Sequence, residues 1–281
     1  HDAGVGSELS NRAVTEADEQ FGKLMRWLEA TGLVRETDVM VVSDHGYSTI
    51  IEAINVEALL REAGFPTGDW PGGVAVANNG GSALLYTHEQ DRGTAESLAE
   101  WLMAQPWCGP VVASDAVGDI PGTLPAFLVG DQGPRAPDIT MSFQWNGVPN
   151  AAGYAGHVYS TGGQSGQGQH GSMSRQELQN VLFGWGPSFK RRCTVLAPSG
   201  NIDLAPTVLR ILGIDSPVLM DGRVLKEALI GGPRVDRVDW SSELYNGERR
   251  SSQQVYRQQI KVSLVGDTVY LDEGSSTLGR R

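Results

Sequence analysis

Cysteine is nearly missing from this 281-residue chain, which carries only Cys108 and Cys193. The two are far apart and neither sits in a Cys-x-x-Cys pair, so a disulfide scaffold and a zinc-finger-type thiolate site are both excluded. One disulfide and two free thiols fit that count equally well. Basic residues are also short. The 22 Lys and Arg stand against 33 Asp and Glu, for a formal charge of -11. Binding to a nucleic-acid duplex needs clustered positive charge, so none is expected. The acidity says little against a phosphorylated small molecule, because bound cations would set the local field. No apolar run is long enough to cross a bilayer, and no internal repeat is visible. An initiator methionine is lacking too. The chain opens at His1 in the middle of what reads as a motif, so an N-terminal part is expected to precede it, and a missing leader cannot be read as cytoplasmic residence.

What is present is ample chain for a large core and 36 glycines, most in loop-like segments. Ala13, Ala17, Phe21, Leu24, Met25 and Leu28 recur at helical spacing, with Gly32 as a stop. The run Asp38–Val42 that follows is short, apolar and rich in β-branched residues, the pattern of a strand buried on both faces of a parallel sheet. A short helix is expected near residues 55–63, a glycine-rich loop over 67–81 and a strand over 82–86. A second helix is expected over 93–104, and strands at 111–113, 127–129 and 138–143. The stretch 146–171 lacks any hydrophobic period and reads as one long functional loop. Ser174-Arg175-Gln176-Glu177 has the form of a capping box. Residues 181–187 read as a helix end running into a strand. Leu204, Val208, Leu209 and Leu212 mark a helix with Asp203 as its first-turn acid and Gly213 as its stop. Beyond Gly231-Gly232-Pro233 the composition turns polar, and Gly266-Asp267 reads as the two-residue turn of a terminal hairpin.

Chemistry concentrates where the strand at 38–42 stops in Ser43-Asp44-His45-Gly46. Ligands of open α/β sheets bind at strand carboxyl ends. Asp44 offers hard oxygen and His45 borderline nitrogen, a mixture that zinc and similar divalent ions accept. Gly46 is expected to let the chain turn sharply so that neighbouring side chains reach one centre. The bland alternative is a strand end whose polar residues cap the next turn. His1 and His170 also sit beside glycine or small residues, whereas His88 and His157 have no such setting. His1, Asp44, His45 and His170 are therefore the candidate metal ligands.

Val41-Val42-Ser43-Asp44-His45-Gly46, Gln169-His170-Gly171-Ser172 and Asn201-Ile202-Asp203-Leu204-Ala205-Pro206-Thr207 occur in that order. Together they resemble the metal-site and helix motifs of the alkaline phosphatase superfamily, and within it the type I phosphodiesterase / nucleotide pyrophosphatase family. His1-Asp2-Ala3-Gly4-Val5-Gly6 is similar to the end of that family's Asp-x-x-x-His segment, whose aspartate would lie just before this chain. Trp185-Gly186-Pro187-Ser188-Phe189-Lys190 and Met220-Asp221-Gly222-Arg223 fit as well.

The resemblance implies an α/β fold with a mostly parallel central sheet and helices on both faces, incomplete at its N-terminus. Residues 1–232 would be the C-terminal part of the catalytic domain, and 233–281 a polar extension ending in a β-hairpin packed on it. It further implies hydrolysis of a small-molecule phosphate ester, a phosphodiester or nucleotide pyrophosphate, at two divalent ions, usually zinc. Asp44 and His45 would hold one ion, His170 and His1 the other. The nucleophilic Thr or Ser would lie upstream of His1, so this chain alone is expected to bind metal poorly and turn over little. A periplasmic or secreted setting is favoured over a cytoplasmic one. A sulfatase, a phosphomonoesterase and an inactive scaffold remain the alternatives, separated by the upstream nucleophile and by whether zinc binds at all.

Overall fold

A computed structural model describes residues 1–68 and 73–281. Its helices are α1 (Glu8–Ala30), α2 (Val56–Glu62), α3 (Arg92–Met103), α4 (Arg175–Leu178) and α5 (Leu204–Leu212). Its first strands are β1 (Val39–Val42), β2 (Ser48–Ala53), β3 (Ala75–Asn79), β4 (Ser82–Tyr86), β5 (Cys108–Ala113), β6 (Leu124–Pro125) and β7 (Ile139–Phe143). Then come β8 (Trp145–Pro149), β9 (Ala155–Ser160), β10 (Gly168–Gln169), β11 (Leu182–Trp185), β12 (Ser241–Arg250), β13 (Gln254–Val265) and β14 (Thr268–Arg280). They form four sheets, ordered β1-β11, β10-β2-β9-β8, β12-β13-β14 and β3-β4-β7-β5-β6.

The fold is mixed α/β, but its pairing departs from the expected mostly parallel sheet. Among the described strand pairs only β2–β9 and β5–β6 run parallel. Connection length explains the difference. Two glycines join β3 to β4 and Gly266-Asp267 joins β13 to β14, and links that short can only reverse the chain. The 38–42 segment is corrected most. β1 pairs only with β11, antiparallel, and Val41 and Val42 are 38% and 44% exposed rather than sandwiched.

Other boundaries shift for physical reasons. Residues 126–129 wind as a 3-10 turn closed by left-handed Gly130, in place of the expected strand. The supposed loop 146–171 holds most of β8 together with β9 and β10, whose strand character comes from pairing, β9 and β10 with β2 and β8 with β9, rather than from any period of their own. The expected loop 67–81 lies partly outside the described residues, and its later half is β3. β2 itself gave no signal beyond a short apolar run.

The helices start where short polar side chains satisfy free amides. Ser7 accepts from the Ser10 amide at α1, Asn55 from Ala58 at α2 and Asp91 from Thr94 at α3. α3 buries Ala95, Leu98, Ala99, Leu102 and Met103 against β5 and β7, every residue of which is buried. Gly109 in β5 is required there, since a Cβ would stand 2.6 Å from the carbonyl oxygens of Ser142 and Phe143. α1 is different. It has the apolar spacing of an amphipathic helix, yet Leu28 is its only buried residue.

The β12–β14 sheet closes over the core through polar contacts. Gln258 Oε1 accepts the Val111 amide at 2.7 Å, and its Nε2 donates to the Val111 carbonyl at 2.9 Å. The Tyr256 hydroxyl donates to Gly109 O at 2.6 Å, and Trp145 Nε1 donates to Gly274 O at 2.6 Å. Both cysteines are free thiols, Cys108 buried and Cys193 exposed. No helix among the described residues is long and apolar enough to cross a membrane.

Candidate metal centre

Three separate stretches bring the sequence-selected histidines to one place. The N-terminal segment lies along the start of β10, where the Gly168 amide donates to the His1 carbonyl at 3.3 Å. The loop after β1 is fixed by two asparagines. Asn180 Nδ2 donates to Ser43 O at 3.1 Å, and Asn201 Nδ2 donates to Asp44 O at 2.9 Å. The loop after β10 is held by the Gly81 amide, which donates to His170 O at 2.7 Å. Gly171 then takes φ 102°, and a Cβ there would stand 2.3 Å from Asn79 O.

The rings meet closely. His45 and His170 stack with centroids 3.7 Å apart and planes at 21°, and His1 lies 5.0 Å from His170 at 52°. Tyr47 packs against all three imidazoles at 5.2–5.5 Å. His88 and His157 lie elsewhere. His88 is exposed, and His157 Nδ1 meets the carbonyl of Val148 at 2.9 Å.

Gly46 plays a different part from the one expected. Its φ is not among the positive ones. What it provides is room, since a Cβ would stand 2.0 Å from the carbonyl oxygen of Gln176. Gly46→Ala is therefore expected to lift the Asp44–His45 loop off α4. It should cost about 1–3 kcal/mol, as overpacking does, and separate the His45 and His170 rings. Chemical denaturation and ring-proton contacts by NMR would measure both, and an unchanged ring contact would refute this role.

The donor chemistry can be examined atom by atom. His45 Nδ1 lies 2.8 Å from Gly46 O, which can only accept, so Nδ1 carries a proton and Nε2 is the nitrogen left to face a ligand. That Nε2 lies 3.4 Å from Asp44 Oδ2, whose side chain is 85% exposed. Two ligands of one tetrahedral zinc ion, at bonds of about 2.0–2.2 Å, are separated by about the same distance. Lone pairs lie in the ring plane, so two stacked imidazoles direct theirs into parallel layers rather than to one point. Among the described residues no three His, Cys, Asp or Glu side chains close on a common centre.

Burial and the neighbouring His45 imidazole hold the His170 pKa below its ordinary value of 6.5, against the pull of Asp44. His170 is thus neutral at pH 7. Because its folded pKa is depressed, its contribution to stability is present above about pH 6.5 and is lost as pH falls through the folded value. The midpoint of thermal unfolding should drop as pH falls below about 6.5, and His170→Asn should flatten that drop. An identical pH profile in the variant would contradict the assignment.

The hydroxyls beside these candidate ligands are engaged in holding backbone. Ser43 Oγ accepts the Val181 amide at 2.9 Å, and Ser172 Oγ accepts the Ser174 amide at 3.1 Å. Asp203, fully buried, accepts the amides of Gly200 at 2.9 Å and Arg223 at 2.8 Å, which is the structural part its helix-start position suggested. Sequence reasoning missed Tyr47, although it directly follows the Asp-His-Gly triplet, and it read Glu177 only as a helix cap.

The sequence model of the type I phosphodiesterase / nucleotide pyrophosphatase family matches residues 1–172. An ectonucleotide pyrophosphatase/phosphodiesterase of Caenorhabditis elegans is 24% identical over 243 residues, covering 85% of this chain and 28% of that protein. This chain thus corresponds to little more than a quarter of that relative's length. No solved structure matches. With the family match extending over more than half of its length and including all three clustered histidines, the chain belongs to the type I phosphodiesterase / nucleotide pyrophosphatase family.

Proposed function

We propose that this chain carries most of a two-ion site for hydrolysis of small-molecule phosphate esters, phosphodiesters or nucleotide pyrophosphates foremost. The observation that carries the reading is the stack of His45 on His170, with Asp44 beside one ring and His1 beside the other. The stacking distance of 3.7 Å falls within the separation of about 3.5–4 Å typical of paired catalytic ions. That spacing suits one imidazole per ion. Asp44 and His45 would hold the first ion, His170 and His1 the second, with zinc favoured by the nitrogen and oxygen donors.

A zinc ion held there would supply Lewis acidity, lowering the pKa of a hydroxyl nucleophile and offsetting charge on the leaving oxygen. The chain's own residues prepare for this. The Gly46 carbonyl fixes the His45 tautomer, neutral His170 needs no deprotonation before it can donate a lone pair, and Asn201 holds the Asp44 backbone from behind. The family resemblance puts the nucleophilic Thr or Ser before the segment that His1 ends, and the tethered Ser43 and Ser172 do not replace it.

The test is a zinc-dependent assay with a chromogenic phosphodiester. A longer polypeptide that includes the upstream segment should turn it over and lose activity to a chelator, while residues 1–281 alone should show little or none. Robust turnover by this chain alone, or chelator-resistant turnover by the longer one, would contradict the reading.

A further inference from the structure

We propose that Glu177 is the positioning residue that holds the His45 and His170 loops together, a role that rests on the metal-site reading above. It touches both loops. Its backbone carbonyl accepts the amide of Gly46, next to His45, at 2.7 Å. Its carboxylate Oε2 accepts the amide of Ser172, two residues past His170, also at 2.7 Å. The residue is only 2% exposed, and it sits in the four-residue helix α4, started by Ser174.

Three observations set Glu177 apart from an ordinary helix cap. A capping-box glutamate bonds back to the N-cap amide, here Ser174, but this one reaches past it to Ser172. Its position is costly, for burial raises the carboxyl's pKa against the pull of the neighbouring polar groups of Ser48 and Ser172. A side chain that only filled space here would be cheaper as leucine or methionine. Finally, Oε1 is buried with no hydrogen-bond partner among the described residues, and Glu177 lines a cavity of about 310 Å³ together with both His45 and His170. A buried acceptor left unpaired is expensive, and such exceptions cluster at working sites. The carboxylate therefore has one oxygen committed to the His170 loop and one without a partner, on a side chain that lines the same cavity as the two imidazoles.

The bond to Gly46 comes from the backbone and survives any side-chain change, so substitutions at Glu177 should release the His170 side selectively. Three variants of the full chain separate reach from charge. Glu177→Gln keeps an acceptor of the same length for the Ser172 amide. Glu177→Asp keeps the charge but is one methylene short. Glu177→Ala removes both.

With histidine-selective isotope labelling, ring-to-ring contacts between His45 and His170 can be followed by NMR in metal-free protein, and zinc-induced shifts on addition of the metal. The contact should persist in Glu177→Gln and vanish in Glu177→Asp and Glu177→Ala. In those two variants the zinc needed to shift the His170 ring should rise by roughly 10–100-fold, the range found for partners behind metal ligands. Ring contact and zinc response unchanged in folded Glu177→Ala would overturn the proposal. So would loss of the contact in all three variants, since charge or space-filling would then be at work. If Glu177→Ala fails to fold, the contrast between Asp and Gln decides. If zinc shifts none of the wild-type rings, the metal reading fails, and the ring contact still judges Glu177.

Discussion

Replacing Arg223 with alanine is expected to destabilise the protein by about 3–5 kcal/mol, the penalty for removing one partner of a buried ion pair. Arg223 forks onto Glu227, with Nη2 at 2.7 Å from Oε1 and Nη1 at 3.0 Å from Oε2. Glu227 is 2% exposed, so its carboxylate has no water to fall back on. The guanidinium does more. Its Nε donates to the Tyr270 hydroxyl at 3.0 Å, which in turn donates to Asp203 Oδ2 at 2.9 Å, and Nη2 donates to Pro198 O at 3.0 Å. Burial opposes the charge on Arg223, but Glu227 beside it outweighs that and raises its pKa. Burial and the nearby Asp203 raise that of Tyr270. Alanine would leave Glu227 buried without its partner and remove the guanidinium's bonds to Tyr270 in β14 and to the Pro198 carbonyl. Arg223→Lys should recover only part of the loss, because an ammonium cannot fork onto both carboxylate oxygens. Urea unfolding at pH 7 measures both, and a loss below about 1 kcal/mol for the alanine variant would place the pair among weak surface bridges.

The other large effect concerns the stacked histidines. In a longer polypeptide carrying the upstream segment, His45→Ala and His170→Ala are each expected to lower phosphodiester turnover by a factor on the order of 10³ or more. That figure follows from the several kcal/mol of charge stabilisation a catalytic ion supplies, at 1.36 kcal/mol per tenfold in rate. His88→Ala and His157→Ala should stay within about twofold, because neither ring approaches the cluster, and surface changes of that kind are usually mild. The comparison of four histidines in one assay controls for general damage. Equal losses at all four would refute the site, as would full activity in His45→Ala.

The site was more legible in the sequence than the sheets. His45 and His170 each directly precede a glycine at a position where only glycine fits. Gly46 lies against Gln176 and Gly171 against Asn79, and close approach leaves that mark in composition. α3 and α5 were visible because their apolar residues recur on one face and their ends carry polar caps or glycine. Strand direction was not visible. Val39–Val42 has the composition of a central strand, and composition cannot tell a strand with two neighbours from one with β11 alone. The strands within 146–171 were hidden for a related reason. Their order comes from β9 and β10 pairing with β2, more than a hundred residues away in the chain, and from β8 pairing with β9, and Gly, Gln and Ser leave no period to read. Glu177 was misread because Ser-x-x-Glu predicts a local bond, and the side chain makes a bond to Ser172 outside the helix instead.

The central claim is that His1, His45 and His170, with Asp44, hold divalent ions. A zinc titration of the full chain with all five histidines isotope-labelled tests it directly, and it remains informative when binding is weak. The ring signals of His1, His45 and His170 should shift together as zinc is added, while those of His88 and His157 stay still. Shifts confined to His88 or His157, or no shift in any ring at millimolar zinc, would contradict the account.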